Sequence, residues 1–110
     1  MSSTGARTTE EMMMIEHVML FWFQDSADPN DVATVLDGIS RFTDIPSVDR
    51  VAVSENRGDP ERSTPFTHAA ILTFKGLVER DSFFVDERHV TLRKFAMTVF
   101  GELKTISVES

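Results

Sequence analysis

Cysteine is absent from this sequence, and so is tyrosine. Without cysteine there are no disulfides, no thiolate metal ligands and no thiol nucleophile, and the chain fits a reducing compartment. Basic residues are scarce: eleven Lys and Arg stand against eighteen Asp and Glu, a formal charge of -7. A sequence-independent nucleic-acid binder needs a basic face, and an anionic membrane surface repels an acidic chain, so neither nucleic acid nor membrane is an expected partner. No apolar run approaches the ~20 residues of a membrane span, and residues 1–13 lack the apolar stretch of a secretory signal. These exclusions predict a soluble, cytoplasmic protein. At 110 residues the chain is one domain.

Residues 1–13 are small and polar until Met12 and Met13, and read as a flexible tail; residues 14–110 read as the domain, patterned from about Ile15 to Val108. Glu16 to Gln24 is a strand with two apolar faces: His17, Met19, Phe21 and Phe23 on one, Val18, Leu20 and Trp22 on the other. A helix then starts at Asp28-Pro29, with Asp31 in its first turn and a stripe of Val32, Val35, Leu36, Ile39 and Phe42. Ile45-Pro46 ends it. Val48 to Ser54 is a second strand and Asn56 to Pro65 a polar loop, in which Arg57-Gly58-Asp59 is better read as a turn than as an integrin-binding tripeptide. Phe66 to Phe74 is a third strand, and Val78 to Val85 a short helix. A longer helix is capped by Asp86 and runs to about Phe100, burying Leu92, Phe95, Ala96, Val99 and Phe100, with Gly101 as its stop. Leu103 to Val108 is the last strand. The order β-α-β-β-α-β predicts an α+β, ferredoxin-like fold, with a four-stranded antiparallel sheet in the order 4-1-3-2 and both helices on one face.

Helices on one face leave the other bare. That face carries Val18, Leu20 and Trp22, more apolar surface than a monomer ordinarily leaves open. A second copy of the chain is the simplest cover, so the expected partner is the chain itself, packed sheet on sheet as a homodimer.

Met14-Ile15-Glu16-His17-Val18-Met19-Leu20-Phe21-Trp22-Phe23 resembles the opening strand of the stress-responsive A/B barrel (Dabb) family. Phe66-Thr67-His68-Ala69-Ala70-Ile71-Leu72-Thr73-Phe74 resembles its third strand, and Asp86-Glu87-Arg88-His89 falls where many members carry His-Pro-x-His. The resemblance implies a dimeric α+β barrel. Most of the family has no assigned reaction; one plant member is a polyketide cyclase, and plant stress-associated proteins belong to it too. The cyclase has a catalytic His at the position of His89, a Tyr where Phe83 stands, an acidic residue where Ser107 stands and a small pocket residue where Arg93 stands. The base is kept and its phenol partner is missing.

The antiparallel topology places His17 and His89 close together, between sheet and helices, with His68 on the same face but farther away. That separation argues against a three-histidine metal site; no metal and no cofactor is expected. An imidazole near its ordinary pKa of ~6.5 suits a general base, so His89 is the candidate base and His17 its candidate orienting partner. The candidate ligand-binding residues are Met19, Phe21, His68, Ala70, Phe83, Leu92 and Arg93. The guanidinium of Arg93 either binds an acidic ligand or fills the space. Three functions compete: a binding protein for a small hydrophobic or aromatic ligand, a cyclase-like enzyme using His89, and a structural dimer with a closed core.

Overall fold

The structure is a computed structural model that describes residues 13–110. The expected tail lies outside the described residues except for Met13. The elements are β1 (Ile15–Phe23), α1 (Pro29–Ser40) followed by a single 3-10 turn (Arg41–Asp44), β2 (Arg50–Glu55), β3 (His68–Phe74), α2 (Leu77–Val85), α3 (Glu87–Ala96) and β4 (Phe100–Glu109). The four strands form an antiparallel sheet in the order β2-β3-β1-β4, as the sequence predicts. Among the described residues no helix is long and apolar enough to cross a membrane.

The local chemistry explains the starts. Asp28 caps α1 by accepting the Asn30 N–H at 2.7 Å, with Pro29 in the first turn, where its missing N–H costs nothing. Asp86 caps α3 in the same way through the Arg88 N–H at 2.9 Å. In the loop before β3, the Asn56 side chain accepts from the Gly58 N–H and donates to Ser63 and to the Phe66 carbonyl. The Arg57-Gly58-Asp59 triplet is therefore part of a turn held from inside.

Strand parity sorts the two faces. His17, Met19 and Phe21 of β1 and Ala70, Leu72 and Phe74 of β3 point to the helices. There, with Val35, Ile39, Phe42 and Phe83, they form the inner layer, and Phe21, Val35, Ala70, Leu72 and Phe74 have no exposure at all. The outer face carries Val18, Leu20 and Trp22 with Ile71 and Ile106, which pair across the strands with Val18. Trp22 is partly screened by its own chain. Its ring lies 5.0 Å from that of Phe66, and it packs over Gly101.

The long C-terminal helix is shorter than its sequence suggests. It ends at Ala96, and Phe95 is exposed rather than buried. Gln24 ends the helix early in space: its N–H bonds the Val99 carbonyl at 3.0 Å and its amide reaches the carbonyls of Thr98 and Phe100. These contacts draw the chain into the sheet, so Phe100 opens β4 instead of closing α3. Gly101 is no helix stop. It sits at the β-bulge where the register slips between Trp22 and Phe23, and a Cβ there would collide with the Trp22 indole.

Candidate functional site

Five elements enclose a cleft of about 460 Å3 between sheet and helices, a volume in the ~300–1,000 Å3 range of small-molecule sites. β1 contributes His17 and Met19 to its wall, and α1 with its 3-10 turn contributes Ile39 and Phe42. Phe83 and Phe84 come from α2, while α3 lends His89, Leu92, Arg93 and Ala96. Phe100, Leu103 and Thr105 of β4 close it. Helix packing shapes this space: at Gly38 the helices come so near that a Cβ would lie 2.7 Å from the Leu92 side chain.

His89 lies three residues after the Asp86 cap of α3, so it stands over the α2–α3 junction. Its Nδ1 lies 3.1 Å from the Phe84 carbonyl. A carbonyl only accepts, so Nδ1 carries the proton, and Nε2 of the neutral ring keeps its lone pair. Burial pushes this imidazole below the ordinary histidine range; the Phe84 hydrogen bond opposes the shift, Arg93 adds to it and Asp86 opposes it. His17 is also lowered, first by burial and then by the charges of Arg80 and His89. Its Nδ1 shares a 2.9 Å hydrogen bond with Ser107 Oγ, directly across the β1–β4 ladder. Ser47 Oγ is the sole sealed side-chain polar atom without a partner among the described residues. The unpartnered Nε2 atoms of His17 and His89 are therefore reachable from open space. Aromatic rings frame both: Phe83 lies 4.3 Å from the His89 ring, and Phe84 meets His17 edge-on at 5.2 Å.

Of the residues singled out from sequence, His17, His89, Met19, Phe83, Leu92 and Arg93 come together around this cleft. Phe21 and Ala70 do not: both are sealed in the core. His68 lies apart, its ring stacked on Phe21 at 5.6 Å and its Nδ1 at 2.8 Å from Thr67 Oγ1. Strand parity places these three on the correct face, but the cleft wall takes its sheet residues from β1 and β4 and none from β3, and Phe21 is covered by Phe23, His68 and Phe100. The lining from Ile39, Phe42, Phe84, Ala96, Phe100, Leu103 and Thr105 was not anticipated. Parity along β4, read against β1, was the available signal for Leu103 and Thr105, since they pair with Phe21 and Met19. Among the described residues no group of three His, Cys, Asp or Glu is placed to hold a metal ion.

The sequence profile described as the Stress Responsive A/B Barrel Domain (Dabb) matches residues 15–108. The chain belongs to that family. The fold of this Dabb chain recurs in solved structures at low identity. A hydroxynitrile lyase from Passiflora edulis superposes with a TM-score of 0.82 at 14% identity, covering 90% of this chain and 94% of that one. A dimeric ferredoxin-like protein of unknown function from Thermobifida fusca gives 0.75 at 17% identity, over 89% and 92%. A Dabb family protein from Mesorhizobium loti with a ferredoxin-like fold gives 0.74 at 12%, over 87% and 95%. No curated protein matches the chain in sequence.

Proposed function

We propose that this Dabb chain is a homodimeric binding protein for a small hydrophobic or aromatic ligand, held in the cleft between sheet and helices. The observation that carries the reading is the cleft itself: mostly apolar walls, with a few polar groups from His17, His89, Arg93 and Thr105. A structural dimer with a closed core has no use for that space. The decisive measurement is calorimetric titration with a compact neutral aromatic such as 4-butylphenol. Wild type binds it, and Ala96→Leu, which pushes a larger side chain into the cleft, weakens it at least tenfold. Equal binding by both proteins, or none by wild type, ends the reading.

The dimer rests on the outer face. Ile106 is 57% exposed and Val108 42%, on the side of the sheet that carries Val18, Leu20 and Trp22. Solved neighbours with this fold are described as dimeric. Ile106→Glu leaves the protomer core untouched and is expected to give monomers in sedimentation at low micromolar concentration; a monomeric wild type removes the dimer.

A second reading, a cyclase- or lyase-type proton transfer with His89 as base, is favoured by one observation. The Phe84 carbonyl fixes the tautomer that leaves Nε2 unprotonated, and burial keeps the ring neutral. The neighbour from Passiflora edulis is a hydroxynitrile lyase. Phe83, 4.3 Å from His89, brings no hydroxyl as a partner acid. Here His89→Ala abolishes turnover of a small aromatic or polyketide-like substrate while 4-butylphenol still binds; undiminished turnover rejects His89 as the base.

A further inference from the structure

Acidic side chains outnumber basic ones by eighteen to eleven in this chain, yet among the described residues the cleft wall holds no Asp or Glu and one arginine, Arg93. The other arginines of the helical layer are engaged with carboxylates: Arg41 with Asp37, Arg80 with Asp81, Arg88 with Asp86. Arg93 has neither an ion pair nor a side-chain hydrogen bond among the described residues. It follows His89 by four positions on α3, so the two share one helix face. Asp86, the carboxylate that acts on His89, is held by two side-chain bonds from Arg88 and caps the helix as well. A place in the last turn of α3 accounts for a positive charge there, but Lys94 fills that role beside it without entering the cleft wall.

We propose that the ligand of this cleft is an anion: a compact aromatic or alkyl-aromatic carboxylate, its apolar body against Met19, Phe83 and Leu92 and its charge met by Arg93. The inference rests on the binding function proposed above and adds the charge of the ligand. The guanidinium fork matches a carboxylate in two parallel hydrogen bonds. Arg93 is exposed, so the pairing forms at the rim of the cleft, and the lack of a competing carboxylate among the described lining residues leaves the fork free.

The test uses the full chain and two probes of equal size, 4-butylbenzoate and neutral 4-butylbenzamide, measured by calorimetry on wild type, Arg93→Met, Arg93→Lys and Ala96→Leu. Wild type is expected to prefer the benzoate by about tenfold or more, the gain of one charge-assisted pair. Arg93→Met brings the ratio near one, Arg93→Lys retains part of it, and Ala96→Leu weakens both probes. Equal affinities in wild type, or a preference that survives in Arg93→Met, overturns the assignment while leaving the cleft as a binding site for the amide. Failure of both probes to bind overturns the binding function itself, and this inference with it.

Discussion

The two ends of the inner layer are built from the same kinds of residue and end up differently. At one end the rings of Phe21, Phe23, His68 and Phe100 pack with centroids 4.8 to 5.6 Å apart and seal Phe21 completely, although Phe100 also borders the cleft. At the other, Phe42, Phe83 and Phe84 surround His17 and His89 at comparable spacings, yet a cleft remains. Aromatic content does not separate core from pocket. What differs is the residue facing the rings: at the open end Ala96 of α3 and Thr105 of β4 are too small to reach across.

The contrast is breakable by truncation. Phe21→Ala at the closed end is expected to cost about 3–5 kcal/mol in denaturant unfolding, the range for a sealed phenylalanine. Met19→Ala, whose side chain borders empty space, is expected to cost well under half of that; similar losses would mean that the open end is as tightly packed as the closed one. Enlargement sharpens the same point from the other side. Ala70→Leu has no exposure and no room, and is expected to lose about 1–3 kcal/mol to overpacking. Ala96→Leu grows into the cleft and is expected to change stability by less than about 1 kcal/mol, with the same unfolding curves as the measurement.

The smallest effect is in pH. His17, His68 and His89 are all held below the ordinary value of 6.5, each chiefly by burial. The unfolded chain therefore binds protons that the folded chain refuses as pH falls through about 6.5. This contribution is complete above that pH and is lost progressively towards the lowered folded values. Stability is expected to rise as pH climbs towards about 6.5 and to level off above it, and His17→Gln with His89→Gln to flatten that rise. Imidazole signals titrating at or above 6.5 by NMR would contradict it.

Much of this layout was legible beforehand. The alternation of β1 sets its two faces, and antiparallel pairing then puts His17 at the opposite end of the sheet from His68. The caps at Asp28 and Asp86 are local chemistry and needed no tertiary knowledge. What local pattern does not contain is the tilt of helices across the sheet, which decides which inward residues meet empty space. Hence Phe21, Ala70 and His68 face inward without lining the cleft, and Thr105 lines it unannounced. Gly101 failed for a related reason. After a helical stripe a glycine looks like a stop, and only the Trp22 ring, far off in sequence, reveals that it makes room instead.

That indole over Gly101 has a spectroscopic consequence. With no phenols in the chain and one tryptophan, near-ultraviolet emission comes from a single fluorophore on the outer sheet face, away from the cleft. Its colour and quenching report whether that surface is wet or occluded, without any label, while events at the two cleft imidazoles pass unseen on the far side.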